Sequence, residues 1–288
     1  MISGKTQLLG LIGWPVHHSF SPAMHNAAAA ELGLDVVYVA MAVHPDSLAD
    51  AVRGVVALGF RGFNVTVPHK EMVIPLLDRV DTAVHAIGAV NTITIEQGET
   101  AEPVLTGYNT DWSGFLADVQ EHGAAIEGQD CLVLGAGGSA RAVAYGLASA
   151  GGRVHVFGRR IEQVQRLVQE LIPHIPQGQL TGYGWSELGG VCGALSAVSL
   201  IVNSTPLGMS PNVESTPWPE NLSFPTGAFI YDLVYNPAET KFVKEAREAG
   251  CAAVTGLGML LHQGAQAFHL WTGREPDHQV MADAIFQL

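Results

Sequence analysis

From Leu8 to about residue 106, short apolar runs alternate with segments of helical spacing. Leu8 to Ile12 and Val36 to Ala40 read as strands, with Ala23 to Leu32 as a helix between them. Runs this short and this apolar suit strands covered on both faces, so the pattern predicts βαβ units on a mainly parallel sheet. A second alternation starts at Cys131 to Leu134, passes through Arg153 to Phe157 and Leu200 to Asn203, and ends near Phe229 to Asp232. It predicts a separate nucleotide-type domain whose first strand leads into a small-residue helix, Ala140 to Ala150. Past Gly256, the residues Leu257, Leu260, Leu261, Phe268 and Trp271 recur at helical spacing, and a last helical stretch runs to Leu288. Periodicity alone leaves open which domain these helices complete. Pro173 to Gly184 and Pro206 to Pro225 are rich in turn residues and predict loops.

Composition narrows the function classes. A chain of 288 residues, 48% hydrophobic, is long enough for about two cored domains. Its net charge of −13 repels nucleic acid and anionic membranes, so neither is an expected partner, and an anionic ligand must be met by locally placed cations. Cys131, Cys192 and Cys251 lie far apart without C-x-x-C or zinc spacing, which predicts buried free thiols in a reducing cytoplasm, with no disulfide framework and no metal site. The sequence after Met1 shows no basic stretch leading into an apolar run, and no segment approaches the roughly 18 apolar residues of a membrane span. The expected location is cytoplasmic.

The most specific local signal is Gly135-Ala136-Gly137-Gly138-Ser139-Ala140, a G-x-G-x-x-A turn that follows an apolar strand and opens a helix. Glycines let the backbone turn tightly and approach a pyrophosphate, and the helix N-terminus supplies free N–H donors. The bland alternative is a tight turn with no ligand. After the next strand, where an NAD-binding chain carries an acidic residue for the ribose hydroxyls, stand Gly158-Arg159-Arg160. A carboxylate there repels a 2′-phosphate and guanidinium groups attract it, so NADP is the expected cofactor. The competing reading is that the arginines solvate the start of a helix over Ile161 to Leu171, where cations oppose the dipole.

Five further segments carry polar groups, each with an ordinary structural explanation. Ser21 before Pro22 reads as a helix N-cap, whereas Ser19 has no such role; two hydroxyls beside free helix N–H groups would suit a carboxylate. In Asn64-Val65-Thr66-Val67-Pro68-His69-Lys70 a strand ends at proline and Lys70 is expected in the first turn of a helix. There the dipole and partial desolvation would lower its pKa and make it a candidate acid/base, against the plain alternative of an exposed lysine. Asp111 precedes a helix over Trp112 to His122 and reads as a cap or an active carboxylate. Asn91 reads as a turn amide or a ligand, and Gln263 as a surface residue or a ligand at the edge of an apolar helical stripe.

As an ordered set, P-V-x-H-S-x-S-P, N-V-T-V-P-x-K, G-A-V-N-T, N-T-D, G-A-G-G-S-A-R-A, N-S-T-P-L-G-M, Y-D-L-V-Y-N-P and G-L-G-M-L-x-x-Q-G-A resemble the shikimate dehydrogenase family from about residue 10 to residue 273. The resemblance implies a two-domain α/β fold with a cleft that can close. Residues 1–110 and 256–288 would form the substrate domain, and residues 111–255 a Rossmann-like NADP domain. It implies that Ser19, Ser21 and Tyr235 bind a substrate carboxylate, and that Thr66, Lys70, Asn91, Asp111 and Gln263 hold its hydroxyls. Lys70 with Asp111 would carry proton transfer, and Leu233 and Gly256 would lie near the nicotinamide. The reaction implied is reversible NADPH-dependent reduction of 3-dehydroshikimate to shikimate, on the route to aromatic amino acids. Two alternatives stay open: a quinate/shikimate dehydrogenase of broader use, and a catalytically silent NADP-binding regulatory protein. A homodimer is compatible with the chain. One departure is visible: the family often has Asn-Arg-Thr where this chain has Gly158-Arg159-Arg160, which removes one hydrogen-bonding side chain and leaves two guanidinium groups.

Overall fold

A computed structural model describes residues 2–97, 102–175 and 179–287. The chain divides into two compact units, Met1–Thr110 with Leu261–Leu288, and Asp111–Leu260. The first unit contains β1 (Gln7–Gly13), α1 (Ser21–Glu31), β2 (Val36–Ala42), α2 (Leu48–Ala57), β3 (Phe60–Val65), β4 (Arg79–Val80), α3 (Thr82–Ile87), β5 (Thr92–Gln97) and β6 (Pro103–Tyr108). They build one sheet in the order β2-β1-β3-β5-β6-β4. β1 runs parallel to β2 and β3, and β4 to β6, while β5 is antiparallel to both its neighbours. The reversal at β5 matters for the site: the carboxyl ends of β1 and β3 lie at the same edge as the start of β5 and the end of β6, because Asn64 pairs with Thr92 and Thr92 with Tyr108.

The second unit contains α4 (Asp111–Glu121), β7 (Asp130–Leu134), α5 (Gly138–Ser149), β8 (Arg153–Gly158), α6 (Ile161–Leu171), β9 (Gln179–Gly184), α7 (Leu188–Ala194), β10 (Leu200–Asn203), β11 (Phe229–Asp232), α8 (Lys241–Glu248) and β12 (Ala252–Thr255). Its six strands are all parallel, in the order β12-β11-β10-β7-β8-β9. Both faces are covered, which is why these strands are nearly continuous apolar runs. Cys131 and Val133 pack on one side with Val143 and Leu147 of α5 and Leu167 of α6. Leu132 and Leu134 pack on the other with Leu188 of α7 and Phe242 and Val243 of α8. The division between units falls within α9 (Leu257–Thr272), and α10 (His278–Phe286) ends the described chain.

The C-terminal part of α9 is seated on the first sheet. Ala267 and Trp271 pack with Leu9, Leu11 and Tyr38, while α2 covers the opposite face through Leu48, Val52 and Val55 against Ile12 and Phe63. Trp271 Nε1 donates to the Ile93 carbonyl at 2.9 Å. Gly62 makes that contact achievable, because a Cβ there would run into the Trp271 indole. Gly264 likewise has Met24 in the space a side chain would need.

The structure corrects three local expectations. Pro173 to Gly184 is not all loop: Gln179–Gly184 is strand β9, paired with β8. Its glycine signal has a packing cause, since a Cβ on Gly182 would lie 2.7 Å from Val164 and 3.1 Å from Val168 of α6. Residues 176–178 of that expected loop lie outside the described residues. Lys70 is not in a helix; residues 67–73 form turns followed by one 3₁₀ turn, Ile74–Leu76. Pro75 prevents the expected helix, since its ring and missing N–H are incompatible with continuation from residue 71. Finally, Ser21 is the first helical residue of α1 rather than its cap, which is Phe20. The thiol expectation also needs adjustment, since Cys131 and Cys251 are buried but Cys192 is only half-buried.

Candidate active site

One edge of the first unit gathers the polar residues singled out in the sequence. Ser19 and Ser21 follow β1, and the Ser19 hydroxyl accepts the Ser21 N–H at 3.3 Å. Thr66 and Lys70 follow β3, and the Thr66 methyl fills the space a Gly13 side chain would occupy. The Lys70 carbonyl accepts the Val90 N–H at 2.8 Å, which ties that turn to the residue just before Asn91. His69, fully buried, braces the same turn through Nε2 and the Val43 carbonyl at 2.8 Å.

Asn91 and Gln263 are brought together inside this unit, and both are buried. Asn91 Nδ2 donates to Thr110 Oγ1 at 2.9 Å and to Gln263 Oε1 at 3.3 Å. Asn91 Oδ1 accepts the Thr110 N–H at 2.8 Å. These contacts overturn the surface-glutamine and simple turn-amide readings, because a buried amide that loses its partners costs about 1–3 kcal/mol. Asn64, Thr92 and Thr110 join the same network and escaped the sequence reading. Asn64 and Thr92 are polar residues at buried positions in strands that also carry other polar residues, so nothing local singles them out.

The second unit holds the remaining residues. The turn Gly135-Ala136-Gly137 follows β7, the central strand at which the chain reverses its direction of travel across the sheet. Gly135 has φ +124°, a conformation open to glycine, and Ser204 packs where its side chain would be. Gly137 is different: apart from its chain neighbours, no atom of the described residues lies within 4 Å of an added Cβ, so packing among them does not demand a glycine there. Gly138 and Ser139 open α5, whose first amides receive no side-chain cap. Gln163 Nε2 donates to the Ala136 carbonyl at 2.9 Å and holds the turn from the side of α6. Arg159 and Arg160 are exposed at the end of β8, and neither guanidinium pairs with another described residue. A glycine turn, uncapped helix amides and two unpaired cations fit a phosphorylated dinucleotide.

Asp111 is the buried first residue of α4. Leu233 and Gly256 are in contact, since a Gly256 Cβ would meet the Leu233 carbonyl oxygen at 2.6 Å. Tyr235 is half-buried in the segment after β11, and burial raises its hydroxyl pKa. That segment is built on Asp232, which accepts from Asn203 Nδ2 at 2.8 Å, Thr240 Oγ1 at 2.6 Å and the Val234 N–H at 3.0 Å. The N-S-T-P-L-G-M and Y-D-L-V-Y-N-P motifs are thereby two halves of one buried network. Burial outweighs these three donors and pushes the Asp232 pKa up to about 6.

Counted from β7, the second sheet has the strand order 3-2-1-4-5-6 read from β9 to β12, with the glycine turn at its switch point. This defines a Rossmann-type dinucleotide-binding protein that carries a second α/β unit. The family model of the shikimate dehydrogenase substrate binding domain matches residues 11–93, and that of the shikimate 5′-dehydrogenase C-terminal domain matches residues 256–286. Shikimate dehydrogenase (NADP(+)) of Moorella thermoacetica is 49% identical to this chain, covering 97% of it and 92% of the relative. The chain belongs to the shikimate dehydrogenase family. Shikimate 5-dehydrogenase of Thermus thermophilus, solved with NADP(H) and shikimate, is 37% identical with a TM-score of 0.84 over 98% of this chain and 99% of that one. Quinate dehydrogenase of Corynebacterium glutamicum, solved with NAD, is 33% identical with a TM-score of 0.86 over 98% and 99%. Among the described residues no helix is long and apolar enough to cross a membrane.

Proposed function

We propose that this chain is an NADP-dependent shikimate dehydrogenase, interconverting 3-dehydroshikimate and shikimate in the cytoplasm. The observation that carries the cofactor preference is the exposed Arg159–Arg160 pair at the end of β8, which pairs with no other described residue and stands where an NAD-selective site would place a carboxylate. When bound, the nicotinamide supplies the hydride chemistry. Gly135 to Ala140 hold the pyrophosphate, Arg159 and Arg160 the 2′-phosphate, and Leu233 and Gly256 border the nicotinamide. Residues 1–110 with the last helices serve as the substrate domain and the central segment as the NADP domain.

For the substrate, Ser19, Ser21 and Tyr235 hold the carboxylate, and Thr66, Asn91 and Gln263 orient the ring hydroxyls. Lys70 and Asp111 carry the proton that must reach or leave the reacting oxygen. With no helix at Lys70, this role rests on the backbone bond that ties Lys70 to Val90, the residue before Asn91, and not on a helix dipole. Replacing Lys70→Ala is expected to lower kcat by roughly 10²–10⁴ with a smaller change in KM. An unchanged kcat rejects the assignment.

A second reading, turnover of quinate, is favoured by the quinate dehydrogenase among the structural relatives. Steady-state assays of shikimate and quinate, each with NADP and NAD, decide between them. Shikimate with NADP is expected to give the highest kcat/KM. Tight NADP binding without turnover of either substrate would mark a silent binding protein.

A further inference from the structure

Behind the Asn91–Gln263 pair lies a chain of buried hydrogen bonds that runs into the core of the first unit. Tyr38, on the edge strand β2, is almost fully buried, and its hydroxyl donates to Asn64 Oδ1 at 2.7 Å. Asn64 Nδ2 donates to Thr92 Oγ1 and to the Asn91 carbonyl, each at 3.0 Å. The Thr92 hydroxyl donates to Asn91 Oδ1 at 3.2 Å. Asn91 Nδ2 then donates to Gln263 Oε1 at 3.3 Å.

Each link has a definite direction. An amide has one donor end and one acceptor end, and a hydroxyl has a single hydrogen. With the Tyr38 hydrogen given to Asn64 Oδ1, the Asn64 NH₂ faces Thr92. With Thr92 accepting there, its own hydrogen goes to Asn91 Oδ1 at 3.2 Å, the nearer of two acceptors, with Thr110 Oγ1 at 3.4 Å. Asn91 must then present NH₂ to Gln263, so the last group of the chain is the donor-only Nε2 of Gln263. Reversing any amide would set two acceptors or two donors face to face in a site without bulk water.

The starting point is held rigidly. The buried His25 ring stacks on Tyr38 with centroids 4.4 Å apart and an interplanar angle of 21°. Among the described residues neither His25 nitrogen has a hydrogen-bond partner, and burial pulls its pKa down to about 3, so the imidazole is a neutral flat wall. Trp271 closes the same cluster and is bonded to Ile93, one residue beyond Thr92.

We propose that Tyr38 and Thr92 are positioning residues that fix the amide orientation of Gln263 through Asn64 and Asn91, so that Gln263 meets the substrate as a hydrogen-bond donor. The proposal rests on the assignment of Gln263 to substrate binding made above. It adds two residues that touch neither substrate nor cofactor and act through a directed relay.

The test is a mutant cycle on the full-length enzyme with shikimate as the varied substrate. Tyr38→Phe and Thr92→Val are each expected to raise the shikimate KM by about 3- to 10-fold while kcat changes by less than about 3-fold, the effect of one weakened binding hydrogen bond. In a Gln263→Ala background both effects should vanish, because the group they orient is gone. Effects of equal size in the presence and absence of Gln263, or a fall in kcat at constant KM, overturn the relay. NADP affinity, read by fluorescence titration, should match wild type in each variant and reports that the chain is folded. If Tyr38→Phe fails that check, Thr92→Val decides. A Gln263→Ala single variant with an unchanged KM instead refutes the substrate assignment itself, and the relay with it.

Discussion

Asp232 offers a prediction whose sign and size both follow from its surroundings. Its carboxylate is fully buried and receives three hydrogen bonds, yet desolvation dominates and lifts its pKa from 3.8 to about 6. A carboxyl whose folded pKa exceeds its unfolded value contributes stability that is fully present below about pH 3.8 and lost as pH rises through about 6. A shift of about two units corresponds to about 3 kcal/mol over the whole range, of which roughly 1–2 kcal/mol is lost between pH 5 and pH 8. Asp232→Asn removes the titration and keeps the shape: its carbonyl can still accept from Asn203 and Val234, and the Thr240 hydroxyl can turn to accept from the new NH₂. The difference in melting temperature between the variant and the wild type should therefore move in favour of the variant by roughly 3–6 °C between pH 5 and pH 8. Differential scanning calorimetry at matched ionic strength reads this directly, and comparing the two proteins at each pH cancels the other titrating groups. Parallel curves would mean that Asp232 does not titrate abnormally. A variant that loses ground as pH rises would mean that the three donors outweigh burial, which refutes the reasoning.

Three further expectations concern the cofactor side. Gly137→Ala should leave the melting temperature of the ligand-free protein within about 2 °C, since the added methyl meets no atom of the described residues beyond its chain neighbours, and should weaken NADP binding at least about 10-fold; equal affinity in a calorimetric titration would show that the pyrophosphate does not approach this residue. Replacing Arg159 and Arg160 together by Ala should raise the KM for NADP by roughly 10- to 100-fold and leave that for NAD nearly unchanged. Equal losses for both cofactors reject the 2′-phosphate role. Gly158→Asn, which restores the side chain common in the family, should weaken NADP binding in this chain, because its Cβ would sit 2.5 Å from Val164 and push α6 with its leading arginine away. Tighter binding would show that α6 adjusts freely.

Much of the fold was legible because its strands are buried on both faces. Cys131 to Leu134, Leu200 to Asn203 and Phe229 to Asp232 match observed strands to within a residue, since all-parallel strands under two helical layers leave little room for polar interruption. Strand β9 was missed for the opposite reason. It lies at the edge of the sheet and carries Gly182 so that Val164 and Val168 can approach, and a glycine used for close packing is indistinguishable in sequence from one used for a turn. The turn at Lys70 was misread because a lysine just after a strand and proline resembles a helix start, while the interruption comes from Pro75, five residues later.

The candidate site divides along the same physical line. Groups that must meet an external ligand leave gaps in the protein's own bonding, and such gaps show locally: two adjacent arginines at the end of a nucleotide-domain strand, or a glycine turn that opens a helix. Groups that hold those ligand-facing residues in place are satisfied internally, so their signature is pairwise and distant in sequence. Tyr38 is 26 residues from Asn64, and Asn91 is 172 residues from Gln263. A buried tyrosine in an apolar strand is an ordinary core residue until its partner is known. Gln263 shows the consequence most sharply, since helical periodicity placed it at the surface margin while its burial follows from Trp271, two turns along the same helix, docking on β5. The orientation of a ligand-facing amide is thus decided by contacts that no local pattern encodes, and the coupling between Tyr38, Thr92 and Gln263 is where that reasoning is exposed to measurement.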